Sequence, residues 1–544
     1  MDRRPLFRSS ASNAVHAPTG NGRPRSGEVS LPARKWCGDV LALIAGIALP
    51  FAFSPYFLWP LSVLSLAVLF FCWRGVSARR AVWRGWLHGV GAFGVGVSWI
   101  VSSFQFSHIA LPIALALTLG FVAFLALYPA LVGGLAAVLS RGARGPWPLF
   151  TVYPAAWVLG EWLRGWFFTG FTWLQLGYAQ VDGVFAGLLP VSGVYGTGLV
   201  VALCSGGLAW LLLSAVRWPL TNFAARLRAP IAALSAITVL AAALSALLAT
   251  VSWTAVSGQP LRVALLQGNV PQDQKWLPSM REPTLRRYMS MTTQHLGADL
   301  VIWPETAVPG QRAQMKVFIE QLHTLAREAR SAVMFGVPEY DGTPARAYNS
   351  VELVGSARGR YRKRHLVPFG EYLPLDAILR PITQRLRIPV SDFAAGAAEQ
   401  ASMSVSGHQL AIFICYEIVF GNEVIAALPE AAVLVTISND AWFGDSIGPH
   451  QHLQMARTRA LETGRTVLRA TNTGITAIID ANGAVQARLP QFTTAALAGQ
   501  ALPRSGVTPY VRFGDAPALL LCFGGLLGGA WWTRKRTRAQ SQPI

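Results

Sequence analysis

The apolar and polar positions of this 544-residue chain fall into two regimes. From about residue 38 to 256 charges are rare and apolar residues run on in long blocks; from 259 to 505 the apolar runs shorten and charged residues fill the gaps. A helix that crosses a bilayer needs about 20 mostly apolar residues. Blocks at 40–54, 56–73, 85–106, 109–139, 149–166, 184–216, 230–256 and 516–533 meet or approach that length, which predicts about eight transmembrane helices. The first is short and holds Pro50; the fourth and sixth are long enough to tilt or to include an interfacial stretch. The expected order is a tail (1–37), a polytopic α-helical membrane domain with helices 1–7 (38–256), a globular domain (259–505), transmembrane helix 8 (514–533) and a second tail (534–544).

The globular stretch has the short periods of a sheet. Apolar, β-rich runs at 261–267, 299–303, 332–336, 350–354, 410–415, 433–438, 467–470 and 475–479 predict strands, and helical patterns at 311–330 and 450–465 lie among them. Strands interleaved with helices predict an α/β layered domain. Ala481-Asn482-Gly483, just after the last run, reads as a hairpin turn.

Composition agrees with a membrane half: 52% of residues are hydrophobic and 13% charged, against about 25% charged in an average soluble domain. The net charge of +20 would suggest nucleic acid on a soluble protein. Here the cations collect at the ends of apolar blocks, and no helix-turn-helix, zinc-finger or RNA-binding signature accompanies them, so no nucleic-acid partner is expected. They lie in the first tail (Arg3, Arg4, Arg8, Arg23, Arg25, Arg34, Lys35), after block two (Arg74, Arg79, Arg80, Arg84), after block four (Arg141, Arg144), after block six (Arg217, Arg226, Arg228) and in the last tail (Arg534, Lys535, Arg536, Arg538). The loops after blocks one and three carry no Lys or Arg. By the positive-inside rule both termini are cytoplasmic and the globular domain lies on the other side. Some 36 polar residues precede the first block, too many for a signal peptide, and the tail's Arg, Ser, Gly and Pro predict disorder.

Of five cysteines, Cys37, Cys72, Cys204 and Cys522 fall in apolar runs and only Cys415 in the globular domain. Cys415 therefore has no disulfide partner there, and no cysteine cluster suggests a metal. It closes the apolar run Leu410-Ala411-Ile412-Phe413-Ile414 and is followed by Tyr416-Glu417; Glu305 begins the loop after Asp299-Leu300-Val301-Ile302-Trp303-Pro304. Between them Tyr361-Arg362-Lys363-Arg364-His365 leads to Glu371. A thiol must lose its proton to attack a carbonyl, which suits Glu305 as base, and the oxyanion that forms suits the Lys363 ammonium and the Tyr416 N–H as donors. Taken singly, each residue has an ordinary reading: a solvated Glu, a surface Lys, a core Cys. Gly160-Glu161-Trp162-Leu163-Arg164-Gly165-Trp166, at the end of block five, has two readings: an aromatic belt with Glu161 and Arg164 paired at helical spacing, or the wall of a lipid entry.

These motifs together resemble the nitrilase superfamily, and with eight spans they resemble its membrane-embedded branch, the apolipoprotein N-acyltransferases. Further matches are Gln267-Gly268-Asn269-Val270-Pro271 with Lys275-Trp276, and Ser438-Asn439-Asp440-Ala441-Trp442-Phe443-Gly444. The likeness runs from about residue 40 to 533 and leaves out the N-terminal tail. It implies an αββα sandwich for the globular domain, in the periplasm on a bacterial inner membrane. It also implies a ping-pong reaction without cofactor or metal. Cys415 takes an acyl chain from the sn-1 position of a phospholipid, typically phosphatidylethanolamine. The thioester then acylates the α-amino group of the S-diacylglyceryl-cysteine of an apolipoprotein, the last step of lipoprotein maturation. Glu305 maps to the base, Lys363 to the oxyanion stabiliser, Glu371 to a second glutamate, Tyr416 and Glu417 to neighbours the family requires, and Trp276 to substrate binding. Asn439 and Trp442 stand either as site wall or as a structural turn. A membrane-anchored amidase shares the triad but has no use for eight spans, and a transporter would show repeated halves and midplane polar groups, which the blocks lack.

Overall fold

The computed structural model describes residues 35–106, 109–143, 145–216, 222–385 and 391–540. The first tail up to residue 34, the loop at 107–108, Arg144, Arg217 and the last four residues lie outside them.

The apolar blocks become helices α1 (Lys35–Ala48), α2 (Pro60–Trp73), α3 (Ala78–Gly96), α4 (Ile100–Phe106), α5 (Leu111–Leu125), α6 (Leu127–Leu139), α7 (Val152–Trp166), α8 (Leu189–Ala215) and α9 (Phe223–Ala249). Among the described residues four helical segments are long and apolar enough to cross a membrane: Leu111–Leu139, Ala186–Ala215, Phe223–Ala249 and Ala516–Thr533. A fifth is added if α3 and α4, bent by 50° at their break, count as one. The block at 40–54 ends as a short 3-10 turn carrying Pro50, and the block at 230–256 ends at Ala249, its last residues forming a strand instead. Not every cation beside a block is a free surface charge. Arg84 sits inside α3, 1% exposed, with its Nε 3.0 Å from Asp39 of α1 and its Nη1 donating to the Cys72 carbonyl. Glycines set the helix spacing: a Cβ on Gly85 would stand 2.2 Å from the Pro129 carbonyl oxygen, so α3 and α6 touch backbone to backbone.

Among the described residues the globular domain holds α10 (Pro278–Thr293), α11 (Lys316–Glu328), α12 (Asp376–Arg385), α13 (Gly421–Ile425), α14 (Gly448–Thr463) and fourteen strands; α15 (Pro509–Phe513) and α16 (Ala516–Gln540) follow. In chain order the strands are β1 (Thr254–Val256), β2 (Leu261–Gln267), β3 (Leu300–Ile302), β4 (Ala332–Asp341), β5 (Arg346–Gly355), β6 (Gly359–Arg362), β7 (Met403–Val405), β8 (His408–Ile414), β9 (Val433–Ser438), β10 (Thr466–Thr471), β11 (Ala477–Ile479), β12 (Val485–Arg488), β13 (Ala495–Ala501) and β14 (Arg504–Gly506). Two six-stranded sheets, ordered β13-β2-β3-β4-β5-β6 and β12-β11-β10-β9-β8-β7, pack face to face through a core that includes Leu265, Ile302, Met334, Ile414, Val435 and Leu468. The central strands pair in parallel and are buried on both faces, which is why they read as unbroken apolar runs. The outer face of the first sheet is covered by α10 and α11, around Trp303, Phe335 and Leu322. The second sheet turns its outer face, through α14, to the helical bundle, and one apolar core runs across that junction from Phe70 and Trp157 to Phe413 and Leu453.

Candidate active site

The sequence-predicted residues leave the two sheets at one end of the sandwich. Glu305 follows β3, Lys363 follows β6, Cys415 follows β8 and Asn439 follows β9. Each strand delivers its loop to the same edge, where the two sheets meet.

The Glu305 loop is shaped by Gly336 of β4. Its N–H donates to the Pro304 carbonyl at 3.2 Å, and a Cβ there would stand 2.3 Å from the Thr306 nitrogen, so a side chain would push the loop away. Glu305 Oε1 accepts from Asn349 Nδ2 at 2.7 Å and Oε2 from the Asn439 N–H at 2.8 Å. Asn349 Nδ2 also donates to Glu371 Oε1 at 2.8 Å, so one amide joins both glutamates. Lys363, 1% exposed, places its Nζ 2.8 Å from Glu371 Oε2 and 3.8 Å from Glu305 Oε1. Burial opposes its charge, but Glu371, Glu305 and the nearby thiol outweigh it and hold the ammonium above the usual lysine range. A buried ion paired in this way is costly to leave without its partners.

Cys415 opens a short 3-10 turn, Cys415–Val419, rather than ending the strand, and it takes a left-handed backbone (φ 54°). Burial, then the Glu305 carboxylate, push its thiol far above the ordinary value; Lys363 and the Ser438 hydroxyl pull the other way. Burial and the Glu305 carboxylate thus both favour the neutral thiol. Glu417 ties the turn to the Lys363 loop. Its Oε2 accepts from the Ile414 N–H (2.7 Å), and its Oε1 from the Tyr361 hydroxyl (2.8 Å) and the N–H groups of Arg364 (2.7 Å) and His365 (3.2 Å). Tyr416 points to the bundle: its hydroxyl donates to the Gly170 carbonyl at 2.6 Å and its ring stacks on Trp173.

Of the remaining predicted residues only Asn439 touches this cluster, through its N–H on Glu305. Asn439 bonds Gln272 and Asn472, a polar chain at the site's floor. Trp276 and Trp442 are exposed, and the Trp442 carbonyl accepts from Ser103 of α4. Glu161 and Arg164 do not form the pair that their spacing suggests; among the described residues no ion pair joins them. Glu161 Oε1 accepts from Trp157 Nε1 and the Leu176 N–H, both at 3.0 Å, while Arg164 Nη1 donates to the carbonyls of Phe171 and Trp173, both at 2.6 Å. Both are 4% exposed and hold the loop that touches Tyr416.

Sequence reading left Asn349, His452 and Arg469 out and gave Lys275 and Asp440 no role. Asn349 lies inside a strand, where a polar residue looks like an outward-facing one. Lys275, read only as the neighbour of Trp276, is 3% exposed and donates to the Thr306 hydroxyl at 2.5 Å and the Glu305 carbonyl at 3.3 Å; burial pulls its pKa down to about 8. His452, Asp440 and Arg469 form a buried cluster against the Cys415 turn. Gln267-Gly268-Asn269, the remaining motif, holds the β13 connection through Gln267 Nε2 and the carbonyls of Pro490 and Thr493. Among the described residues no group of three or more His, Cys, Asp or Glu could hold a metal ion.

A nitrilase-like sandwich with Glu, Lys and Cys at its sheet ends, seated on a bundle of apolar helices, defines a carbon-nitrogen hydrolase class domain carried by a membrane-type bundle. Residues 262–510 match the family model described as carbon-nitrogen hydrolase, and residues 45–207 that described as the apolipoprotein N-acyltransferase N-terminal domain. The chain is 48% identical over 504 residues to the apolipoprotein N-acyltransferase of Methylococcus capsulatus, covering 92% of this chain and 97% of that one. It is 42% identical to that of Azotobacter vinelandii (93% and 97% covered) and 38% identical to that of Vibrio cholerae (91% and 97%). The chain belongs to the apolipoprotein N-acyltransferase family.

Proposed function

We propose that this chain transfers an acyl chain from the sn-1 position of a phospholipid, typically phosphatidylethanolamine, to the α-amino group of an apolipoprotein's S-diacylglyceryl-cysteine. The observation that carries this reading is the convergence of Glu305, Lys363 and the partly exposed Cys415 beside the 167–173 loop of the apolar bundle. In the first half-reaction Glu305 takes the thiol proton as Sγ attacks the ester carbonyl. The oxyanion forms beside Lys363, an electrostatic contribution that commonly reaches several kcal/mol. Collapse breaks the ester C–O bond, and the lysophospholipid leaves with the proton that Glu305 returns. In the second, Glu305 accepts a proton from the attacking amine and Cys415 leaves as the thiol. Glu371 shares Lys363 with Glu305 and keeps it charged throughout. The exposed Trp276 and Trp442 suit a wall that keeps water from the thioester, with Asn439 at its base. Glu161 and Arg164 act at one remove, bracing the loop on which Tyr416 rests.

In this reading α3 with α4 and α5 with α6 each make one span. With α1, α2, α7, α8, α9 and α16 they give eight, in a bacterial inner membrane, with both termini cytoplasmic and the domain at 259–505 periplasmic. Intact-mass analysis of the purified protein with phosphatidylethanolamine tests the chemistry. The expected result is an acyl adduct on Cys415 that transfers to a diacylated peptide and is absent from Cys415→Ser. An adduct at any other residue, or amide hydrolysis without transfer, refutes it.

A further inference from the structure

A second buried cluster lies against the Cys415 turn, and the half-reactions above do not use it. His452 of α14 places Nε2 3.2 Å from the Cys415 carbonyl oxygen. Its Nδ1 stands 3.1 Å from Asp440 Oδ1 and 3.2 Å from Arg469 Nη2, and Asp440 is bound in turn by the Ser438 hydroxyl (2.8 Å) and Arg469 (2.5 Å). His452, Asp440 and Arg469 are each no more than 1% exposed. A carbonyl oxygen only accepts, so Nε2 carries the proton and donates it.

What that bond controls follows from the peptide group. The Cys415–Tyr416 bond is trans, the only cis bonds among the described residues being before Pro55, Pro344 and Pro429. The carbonyl and the N–H of a trans peptide point in opposite directions from one rigid plane. A carbonyl fastened to α14 therefore turns the Tyr416 N–H away from α14. As the second residue of the turn, Tyr416 has no carbonyl within the turn to receive that N–H. The left-handed backbone of Cys415 is one that a side chain rarely adopts unless its surroundings impose it.

We propose that His452, held through Nδ1 by Arg469, which Asp440 fixes in turn, is a positioning residue that sets the Cys415–Tyr416 peptide so that the Tyr416 N–H serves as the second oxyanion donor beside Lys363. This rests on Cys415 being the nucleophile. The test compares two reactions of the same thiol in the full-length protein in detergent. Acyl-enzyme formation from phosphatidylethanolamine, followed by intact mass in a single turnover, passes through an oxyanion. Alkylation of Cys415 by iodoacetamide, a displacement at a saturated carbon, does not. His452→Gln keeps an amide nitrogen about where Nε2 lies; His452→Asn ends short of the Cys415 carbonyl. We expect His452→Asn to slow acylation about 100-fold while alkylation stays within about threefold of wild type, and His452→Gln to restore acylation to within about tenfold. Alkylation at the wild-type rate also shows that the Asn variant is folded around the site. Unchanged acylation in His452→Asn, a parallel fall of both rates, or a Gln variant as slow as the Asn variant overturns the proposal. An acyl adduct found away from Cys415 in the wild type overturns the nucleophile reading itself, a result distinct from the other three.

Discussion

Helices α11 and α14 cover opposite faces of one sandwich and are held there by opposite means. α11 buries Ile319, Leu322 and Ala326 at helical spacing and leaves Val317 on its far side 72% exposed. α14 is buried nearly all round, although its buried residues include Gln451, His452, Gln454, Arg459 and Glu462. All of them but His452, which faces the Cys415 turn, meet particular partners in the bundle. Gln451 Nε2 donates to the Gly96 carbonyl, Gln454 Oε1 accepts the Ser54 N–H, and Glu462 Oε1 accepts the Val194 N–H that the kink at Gly193 of α8 sets free. Apolar contact tolerates sliding; a buried hydrogen bond does not, because a slipped register leaves both groups unpaired. α11 thus supplies area, and α14 supplies alignment between the Cys415 and Asn439 loops and the bundle.

This contrast is sharpest in what substitutions should do. The largest effect belongs to the chemistry that α14 aligns. Lys363→Ala should lower the rate of acyl-enzyme formation by more than about 1000-fold, since it removes the main oxyanion partner and strands Glu371. A single-turnover assay that finds less than a tenfold loss would remove Lys363 from the mechanism. Next comes the junction itself. Arg459 stands 2.9 Å from Glu462 Oε2 and donates to the Tyr178 hydroxyl, which in turn donates to the Val419 carbonyl. Arg459→Met should destabilise the protein by about 3–5 kcal/mol, as breaking a buried pair generally does, and loosen the catalytic domain on the bundle. Proteolysis of the junction in detergent, compared with wild type, reads that directly. On the other face, Leu322→Ala should cost about 3 kcal/mol by opening a cavity under α11. It should leave the acylation rate per folded molecule unchanged. If the α11 variant slowed acylation as much as the α14 one, the division between area and alignment would fail.

The same contrast marks how far sequence alone could reach. β2 and β9 were predicted at their observed limits, because strands buried on both faces are continuous apolar runs. The placement of Glu305 and Cys415 was legible for a related reason: each directly follows such a run and so stands at a sheet's end. β6, with the sequence Gly-Arg-Tyr-Arg, and β13, rich in Ala and Gly, were missed because they close a sheet's edges and carry little apolar signal. α10 was missed because Pro283 and its many polar residues hide a helix whose burial is slight. The helix expected at 450–465 was found as α14, but its polar residues gave no hint of burial, since their partners lie more than 250 positions away. Asn349 was invisible for the same reason on a smaller scale: its role exists only where the two glutamates meet.

The smallest effect predicted is also the one that most directly probes the α14 junction. Arg459 faces Glu462 Oε2 at an angle that makes an ion pair but no hydrogen bond. Burial first, and Asp515 beside it, push the Glu462 pKa up to about 7, against Arg459 and the Val194 N–H. A carboxyl whose folded pKa is raised binds its proton more tightly when folded. Its contribution to stability is therefore complete below the unfolded value, about 4.3, and is lost as pH rises through about 7. Glu462→Gln keeps an oxygen for the Val194 N–H but cannot ionise, so it stands in for the protonated carboxyl at every pH. The wild-type melting temperature should thus fall relative to that of Glu462→Gln between about pH 5 and pH 7.5, by roughly 5–10 °C for about 2.5 kcal/mol. Groups shared by both proteins cancel in the difference. A difference that stays flat across that window would mean that Glu462 is ionised throughout, and that α14 is docked by a full ion pair rather than by a shared hydrogen bond. Leu322→Ala, measured the same way, should give a flat difference, since it leaves Glu462 and its partners untouched and His323 beside it is shared by both proteins.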